Sequence, residues 1–191
     1  MMNHARLNVG LEGVAISERA YQQARDYARE RVQGRPIDAP AGTPIIAHPD
    51  VRRMLLDMKS RIEAMRALAY FTAGRMDVAH AHADAATRKS AQTLVNLLTP
   101  IVKGWCTENA IQITSTGVQV HGGVGFVEET GAAQHYRDAR ITTIYEGTNG
   151  IQSIDLVTRK LGANGGESVW KLLGELDATV KQVEASNDPA F

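Results

Sequence analysis

One stripe constrains this chain more than any other feature. Val51, Leu55, Met58, Ile62, Met65, Ala69, Thr72 and Met76 recur at alternating steps of four and three. That is the period of one helix face, and it predicts a helix over about 49–78. Pro49 suits its first position and Asp50 the positive end of its dipole. An apolar stripe of this length has to be buried against other helices of similar length. The methionines along it are read as core filling, because an unbranched thioether adapts to irregular gaps.

Two further segments can supply partners. Leu7, Leu11, Val14, Tyr21, Ala24 and Ala28 place a helix over about 6–31, where Gly10 and Gly13 point to close helix packing. Gly34, Pro36, Pro40, Gly42 and Pro44 then make 34–48 a loop. Ala91, Leu94, Leu98, Ile101, Trp105, Asn109, Gln112, Thr116 and Val120 mark a helix over about 83–120, with a kink or short break expected near Pro100. It must stop at Gly122-Gly123-Val124-Gly125. Shorter helices are expected over about 129–137, 149–161 and 169–183, and the tail Ser186-Asn187-Asp188-Pro189 is expected to fray. No convincing period of two appears; Ile141 to Tyr145 is strand-like but short and solitary. The fold class is all-α: an up-and-down bundle of three to four long helices with short terminal helices.

Composition narrows the function classes. Lys+Arg and Asp+Glu each number 21, so no net field draws in nucleic acid or an anionic membrane. No apolar run reaches the ~18 residues of a membrane span. Cys106 is the single cysteine, so no disulfide forms within the chain. That fits a reducing, cytoplasmic setting. Beside Trp105 it reads as a small core residue. Trp105 and Trp170 are read as core or packing residues, and Arg52, Arg53, Lys59 and Arg61 as a solvated face. His80, His82 and Asp84 are read as solvated helix-end residues, since histidines two apart do not share a helix face. No metal site is expected.

Two motifs could carry chemistry. Gln119-Val120-His121-Gly122-Gly123-Val124-Gly125-Phe126 is glycine-rich. Glycines let a backbone approach a phosphate closely, and they equally end a helix. It lacks the lysine of a Walker loop and follows a helix, unlike a dinucleotide fingerprint. His121 is read as a local hydrogen-bonder. In Tyr145-Glu146-Gly147-Thr148-Asn149-Gly150 a carboxylate sits between an apolar stretch and a glycine. Apolar surroundings would raise its pKa and make it a better base. Thr148 and Asn149 can cap a following helix, whose N-terminus favours a phosphate. A loop glutamate beside a cap is the plainer alternative.

Together these motifs resemble the C-terminal helical domain of the flavin-dependent acyl-CoA dehydrogenases. Tyr145-Glu146-Gly147-Thr148 follows the glycine run by some twenty residues, with Asp138-Ala139-Arg140 between them. Tyr27-Ala28-Arg29-Glu30-Arg31 closes a first helix that contains Arg6, Gly10 and Gly13. The resemblance covers about residues 5–161, and Val32-Gln33-Gly34 and His48-Pro49-Asp50 look like the family's longer-chain branch. It divides the chain into the bundle domain, 1–165, and the beginning of a helical extension, 166–191.

The resemblance implies Glu146 as the base that removes the α-proton of an acyl-CoA thioester, while FAD takes the β-hydrogen as hydride. Tyr145 and Gly147 would line the thioester pocket and Arg6 would lie near it. Thr148 would contact the flavin diphosphate. Gln119, Gly122 and Gly123 would reach the FAD of a neighbouring subunit, with Arg31 pairing its diphosphate. Some relatives place the base just before the arginine, where this chain has Ala5. The stretch after Arg31 is one residue shorter than the family's, and Pro49 replaces a frequent glutamine. The implied partners are a homo-oligomer, dimer or tetramer, and an electron-transfer flavoprotein or similar acceptor. The family's N-terminal and middle domains are absent from the 191 residues. A fragment with little activity and weak FAD retention is therefore expected. A non-catalytic oligomerisation or interaction module, or an oxidase or desaturase on the same bundle, are the alternatives.

Overall fold

The computed structural model describes residues 2–186. The expected stripe forms α2, Pro49–Ala81, with Pro49 in its first turn. Its buried residues are Leu55, Met58, Ile62, Met65, Ala69, Thr72 and Met76, and Val51 packs at the edge of the same core. Burying the leucine, isoleucine and methionine side chains among them contributes roughly 1.5–3 kcal/mol each. Thr72 belongs in such a stripe because its hydroxyl donates to the Leu68 carbonyl one turn back, at 2.9 Å. Ser17, Thr99, Thr107 and Thr114 are buried with their hydroxyls satisfied in the same way.

The partners of α2 are α1 (Met2–Glu30) and α3 (Ala85–His121). Gly10 faces Val102, Gly13 faces Cys106 and Ala20 faces Gly117, so α1 and α3 run parallel. Lys59 lies over Tyr21 while Arg66 pairs with Glu18 at 2.7 Å, and Arg61 reaches Asn109 at 3.1 Å while Met65 meets Cys106, so α2 runs against both. The sequence reading of Gly10 and Gly13 holds. A β-carbon on Gly13 would lie 3.0 Å from the Cys106 carbonyl oxygen.

Helix α3 departs from its expected pattern. It runs unbroken past Pro100, which is buried. Packing against α1, α2 and the returning chain holds it together through the missing hydrogen bond. With neighbours on several sides it buries Val95, Val102, Lys103, Cys106, Ala110 and Ile113 as well as Leu98 and Val120. Trp105 and Gln112, expected on the inner face, are exposed. Trp105 is 41% exposed and Trp170 71%, so neither is a core residue. Cys106 is fully buried, as read.

The chain then turns back along α1 and α3. Gly122 caps α3 with φ 63°, followed by the single turn α4, Gly123–Phe126, and a 3-10 turn at Glu128–Thr130. Helix α5 covers Ala132–Thr142, later than the expected 129–137, because Gly131 is left-handed at its start. The strand-like Ile141-Thr142 ends this helix, with Thr142 buried. Helix α6, Asn149–Asp155, continues as a π-helical turn over Leu156–Lys160. Gln23 meets His135 at 3.0 Å, Tyr145 meets Glu12, and Arg6 meets Asp155 at 3.2 Å. These contacts make α5 and α6 a fourth, broken column antiparallel to α1.

After left-handed residues Asn164, Gly165 and Gly166 comes α7, Glu167–Ser186. It buries no residue and leaves Trp170, Leu173, Leu176 and Val180 exposed. Of the tail expected to fray, residues 187–189 lie outside the described residues. Among the described residues no helix is long and apolar enough to cross a membrane. No group of metal-ligating side chains occurs among them either. Asp84 caps α3, its carboxylate accepting from the Thr87 N–H at 2.7 Å.

Candidate active site

The break between α5 and α6 places the 143–148 turn beside the first half of α1 and the middle of α3. Glu146 has φ 54° and Gly147 φ 85°, two left-handed residues in succession. A left-handed non-glycine residue costs roughly 1–2 kcal/mol, so the surroundings must hold it. Gln152, buried in α6, does so: its Nε2 donates to the Gly147 carbonyl at 3.1 Å and reaches the Glu146 carbonyl at 3.4 Å. Thr148 caps α6, its Oγ1 accepting from the Ile151 N–H at 3.2 Å. The Asn149 N–H donates to the Thr143 carbonyl at 3.1 Å and closes the turn.

The resulting geometry presents a carboxylate outward. Glu146 is exposed, and its carboxylate has no hydrogen bond or ion pair among the described residues. The apolar enclosure expected around it is therefore not supplied by this chain. Tyr145 leans the other way, donating its hydroxyl to Glu12. Burial, followed by that hydrogen bond and the charges of Glu12 and Glu146, pushes its phenol up to about 12.

Below the turn lies a buried ionic layer. Arg6 pairs with Asp155, which is only 2% exposed, and its Nη2 lies 3.8 Å from where a Gly147 β-carbon would be. Arg159 Nε approaches the other Asp155 oxygen at 2.7 Å from the solvent side. Lys103, fully buried, donates to Asn149 Oδ1 at 2.9 Å.

The structure thus brings Arg6, Tyr145, Glu146, Gly147 and Thr148 together and sets the other candidates apart. Gln119, Gly122 and Gly123 lie at the far end of α3, roughly 20 Å beyond Thr107 at 1.5 Å per residue. Arg31 follows the parallel α1 to that same end, where Tyr27 stacks on His121. His121 is a local hydrogen-bonder, as read from the sequence, its Nδ1–H donating to the Gly117 carbonyl at 2.7 Å. Both places suit a phosphate-bearing cofactor. Arg31, Gln119, Gly122 and Gly123 are exposed, and nothing lies within 4 Å of a β-carbon built on either glycine. Thr148 accepts as a cap and keeps its own O–H to donate.

The family model for the acyl-CoA dehydrogenase C-terminal domain matches residues 1–161. This chain belongs to that family. It is similar to the 3-methylmercaptopropionyl-CoA dehydrogenase of Ruegeria pomeroyi, with 53% identity across 94% of this chain and 31% of the relative. A butyryl-CoA dehydrogenase of Syntrophomonas wolfei is 39% identical across 92% of this chain and 29% of its own length. Among solved structures, the butyryl-CoA dehydrogenase of Megasphaera elsdenii superposes with a TM-score of 0.67 at 31% identity, covering 82% of this chain and 36% of that one. The chain spans about a third of the length of the curated relatives it matches.

Within this acyl-CoA dehydrogenase domain, several supporting residues were not singled out from the sequence. Lys103 carried a signal, a lone lysine in the apolar run Pro100-Ile101-Val102-Lys103-Gly104-Trp105. Gln152 and Asp155 carried none: Asp155 meets Arg6, 149 positions away, and Gln152 reaches the Gly147 carbonyl only through a turn whose shape no local period announces.

Proposed function

We propose that this chain serves as the C-terminal domain of an FAD-dependent acyl-CoA dehydrogenase, in which Glu146 removes the α-proton of the acyl thioester. The observation that carries the reading is the left-handed turn at Glu146 and Gly147, pinned by Gln152, with an exposed carboxylate free of partners. A base needs an unengaged carboxylate in a fixed position, and a rigid helix-flanked turn supplies that. Bound FAD would accept the β-hydrogen as hydride. Arg31, Gln119, Gly122 and Gly123 would hold a neighbouring copy's cofactor, and Thr148 would contact the flavin diphosphate. Arg6, Tyr145 and Gly147 would border the thioester.

Glu146 lies open on this chain, so a substrate pocket needs further walls. In this reading the isolated chain binds FAD weakly and turns over little. Residues 1–165 form the bundle domain and 166–191 begin an extension. A homo-oligomer and an electron-transfer flavoprotein or similar acceptor are its proposed partners.

The test is a chimera. The matching segment of the Ruegeria enzyme is replaced by this chain, and acyl-CoA-dependent dye reduction is followed. Glu146→Gln in an active chimera is expected to lower the rate by roughly 10²–10⁴-fold, the usual contribution of a positioned base. Full activity in that variant would refute the assignment.

A further inference from the structure

Lys103 is the most fully buried charged side chain among the described residues, with 0% exposure, and the proposed proton transfer does not use it. A buried ammonium is costly unless it is paired and hydrogen-bonded. Burial, then the neighbouring Arg6 guanidinium, push it down to about 8, with Glu108 opposing them. Something must repay that cost, and the contacts of Asn149 indicate what.

Asn149 is the first residue of α6 and the last link of the Glu146 turn. Its Oδ1 accepts from Lys103 Nζ at 2.9 Å. Its Nδ2 donates to Glu108 Oε2 at 2.8 Å, to Thr107 Oγ1 at 3.0 Å and to the Gly104 carbonyl at 3.3 Å. Thr107 Oγ1 also lies 3.2 Å from Asn149 Oδ1, but its one proton goes to the nearer Lys103 carbonyl at 2.7 Å, so toward Asn149 it accepts. An ammonium donates only, and a carboxylate and a carbonyl accept only. One orientation of the amide therefore matches both charged partners, its oxygen toward Lys103 and its two hydrogens shared among Glu108, Thr107 and the Gly104 carbonyl. The flipped orientation sets an oxygen against Glu108 and an NH₂ against Lys103.

We infer that Lys103 is a positioning residue, whose buried ammonium locks the Asn149 amide to α3 and thereby fixes the turn that presents Glu146. The link is short. Lys103 holds the Asn149 side chain, the Asn149 N–H holds the Thr143 carbonyl, and Tyr145, Glu146 and Gly147 lie between them. Gln152 clamps the same turn from α6, so the turn is held at both ends. The catalytic meaning of the clamp rests on the proposed role of Glu146, but the clamp itself does not.

Amide hydrogen exchange on the 191-residue chain tests it, because that readout follows order in the turn and not turnover. Failure of the clamp and failure of the base assignment are thus separate results. Lys103→Met is expected to speed exchange at residues 145–152 about ten-fold, leaving the amides of α2 within two-fold. Asn149→Ala is expected to do the same, and the double variant to be no faster than either single one. A lysine that merely filled space would instead speed exchange across α1, α2 and α3 alike and add to Asn149→Ala; that pattern overturns the inference. Should Lys103→Met fail to fold, Asn149→Ala decides. It is expected to loosen 145–152 and shift the Lys103 Nζ resonance in ¹⁵N spectra. An unchanged Nζ resonance, or an unchanged turn, refutes the clamp.

Discussion

Gln152 Nε2 donates to the carbonyl of Gly147 at 3.1 Å from within α6, although the Gln152 side chain is almost wholly buried. The contact joins a helix interior to the left-handed turn that carries Glu146. It also leaves little room at residue 147. A β-carbon there would meet the same nitrogen at 2.8 Å, and φ is 85°.

Gly147→Ala should therefore destabilise the domain. The backbone conformation alone costs roughly 1–2 kcal/mol for a residue with a β-carbon. Displacing the Gln152 amide adds to that. Urea unfolding should show a lower midpoint with an unchanged slope. A variant as stable as the parent would mean that the turn relaxes freely and that Gln152 does not pin it.

The glycines of the long helices separate into two kinds. At Gly13 a β-carbon would lie 3.0 Å from the Cys106 carbonyl oxygen and 3.3 Å from the Thr107 Cα, all backbone atoms that cannot rotate away. Gly13→Ala must push α1 from α3 and is expected to cost about 1–3 kcal/mol. Gly74 is exposed within α2, and nothing lies within 4 Å of its β-carbon. Gly74→Ala is expected to gain about 0.5–1 kcal/mol from helix propensity. Urea titrations of the two variants should move in opposite directions; a shared direction would show that the close approach of α1 and α3 is not what sets the cost.

Cys106 supplies a pH test. Burial pushes its thiol from 9.0 up to about 12. The native chain should react negligibly with a disulfide reagent at pH 8 and fully once unfolded. Above pH 9 the unfolded chain loses a proton that the folded one keeps, which favours unfolding. This contribution is complete below pH 9 and is lost as pH rises toward 12. Lys103 works in the opposite sense. Between about 8 and its ordinary 10.5 the unfolded chain holds the proton that the folded one has released, so its contribution grows with pH. Comparing the parent with Cys106→Ala across pH 8 to 10.5 isolates the thiol, and the variant should show the shallower fall or steeper rise. Equal slopes would contradict the burial of that thiol.

Much of the bundle was legible in the residue order. The four-and-three stripe from Val51 to Met76 predicted α2 and its buried face, because one face of one helix meets one core. The small residues Gly10 and Gly13 announced a close neighbour. The motif around Glu146 and the glycine run at Gly122 announced the family, and the family match covers residues 1–161.

Helix α3 was read less well, for a definite reason. It sits among α1, α2, α5 and α6, so burial wraps most of its circumference and no single stripe describes it. Trp105 falls on the one strip left uncovered, and Pro100 is tolerated because neighbours hold the helix on both sides of it.

By itself the sequence determined the helices, their order and the identity of the carboxylate at Glu146, since these follow from local period and local motif. Only the tertiary structure decided how the turn that carries it is held. The left-handed turn depends on Gln152 from α6 and, through Asn149, on Lys103 and Glu108 from α3, and the contacts of Asn149 with residues 46 and 41 positions away leave no periodic trace along the chain.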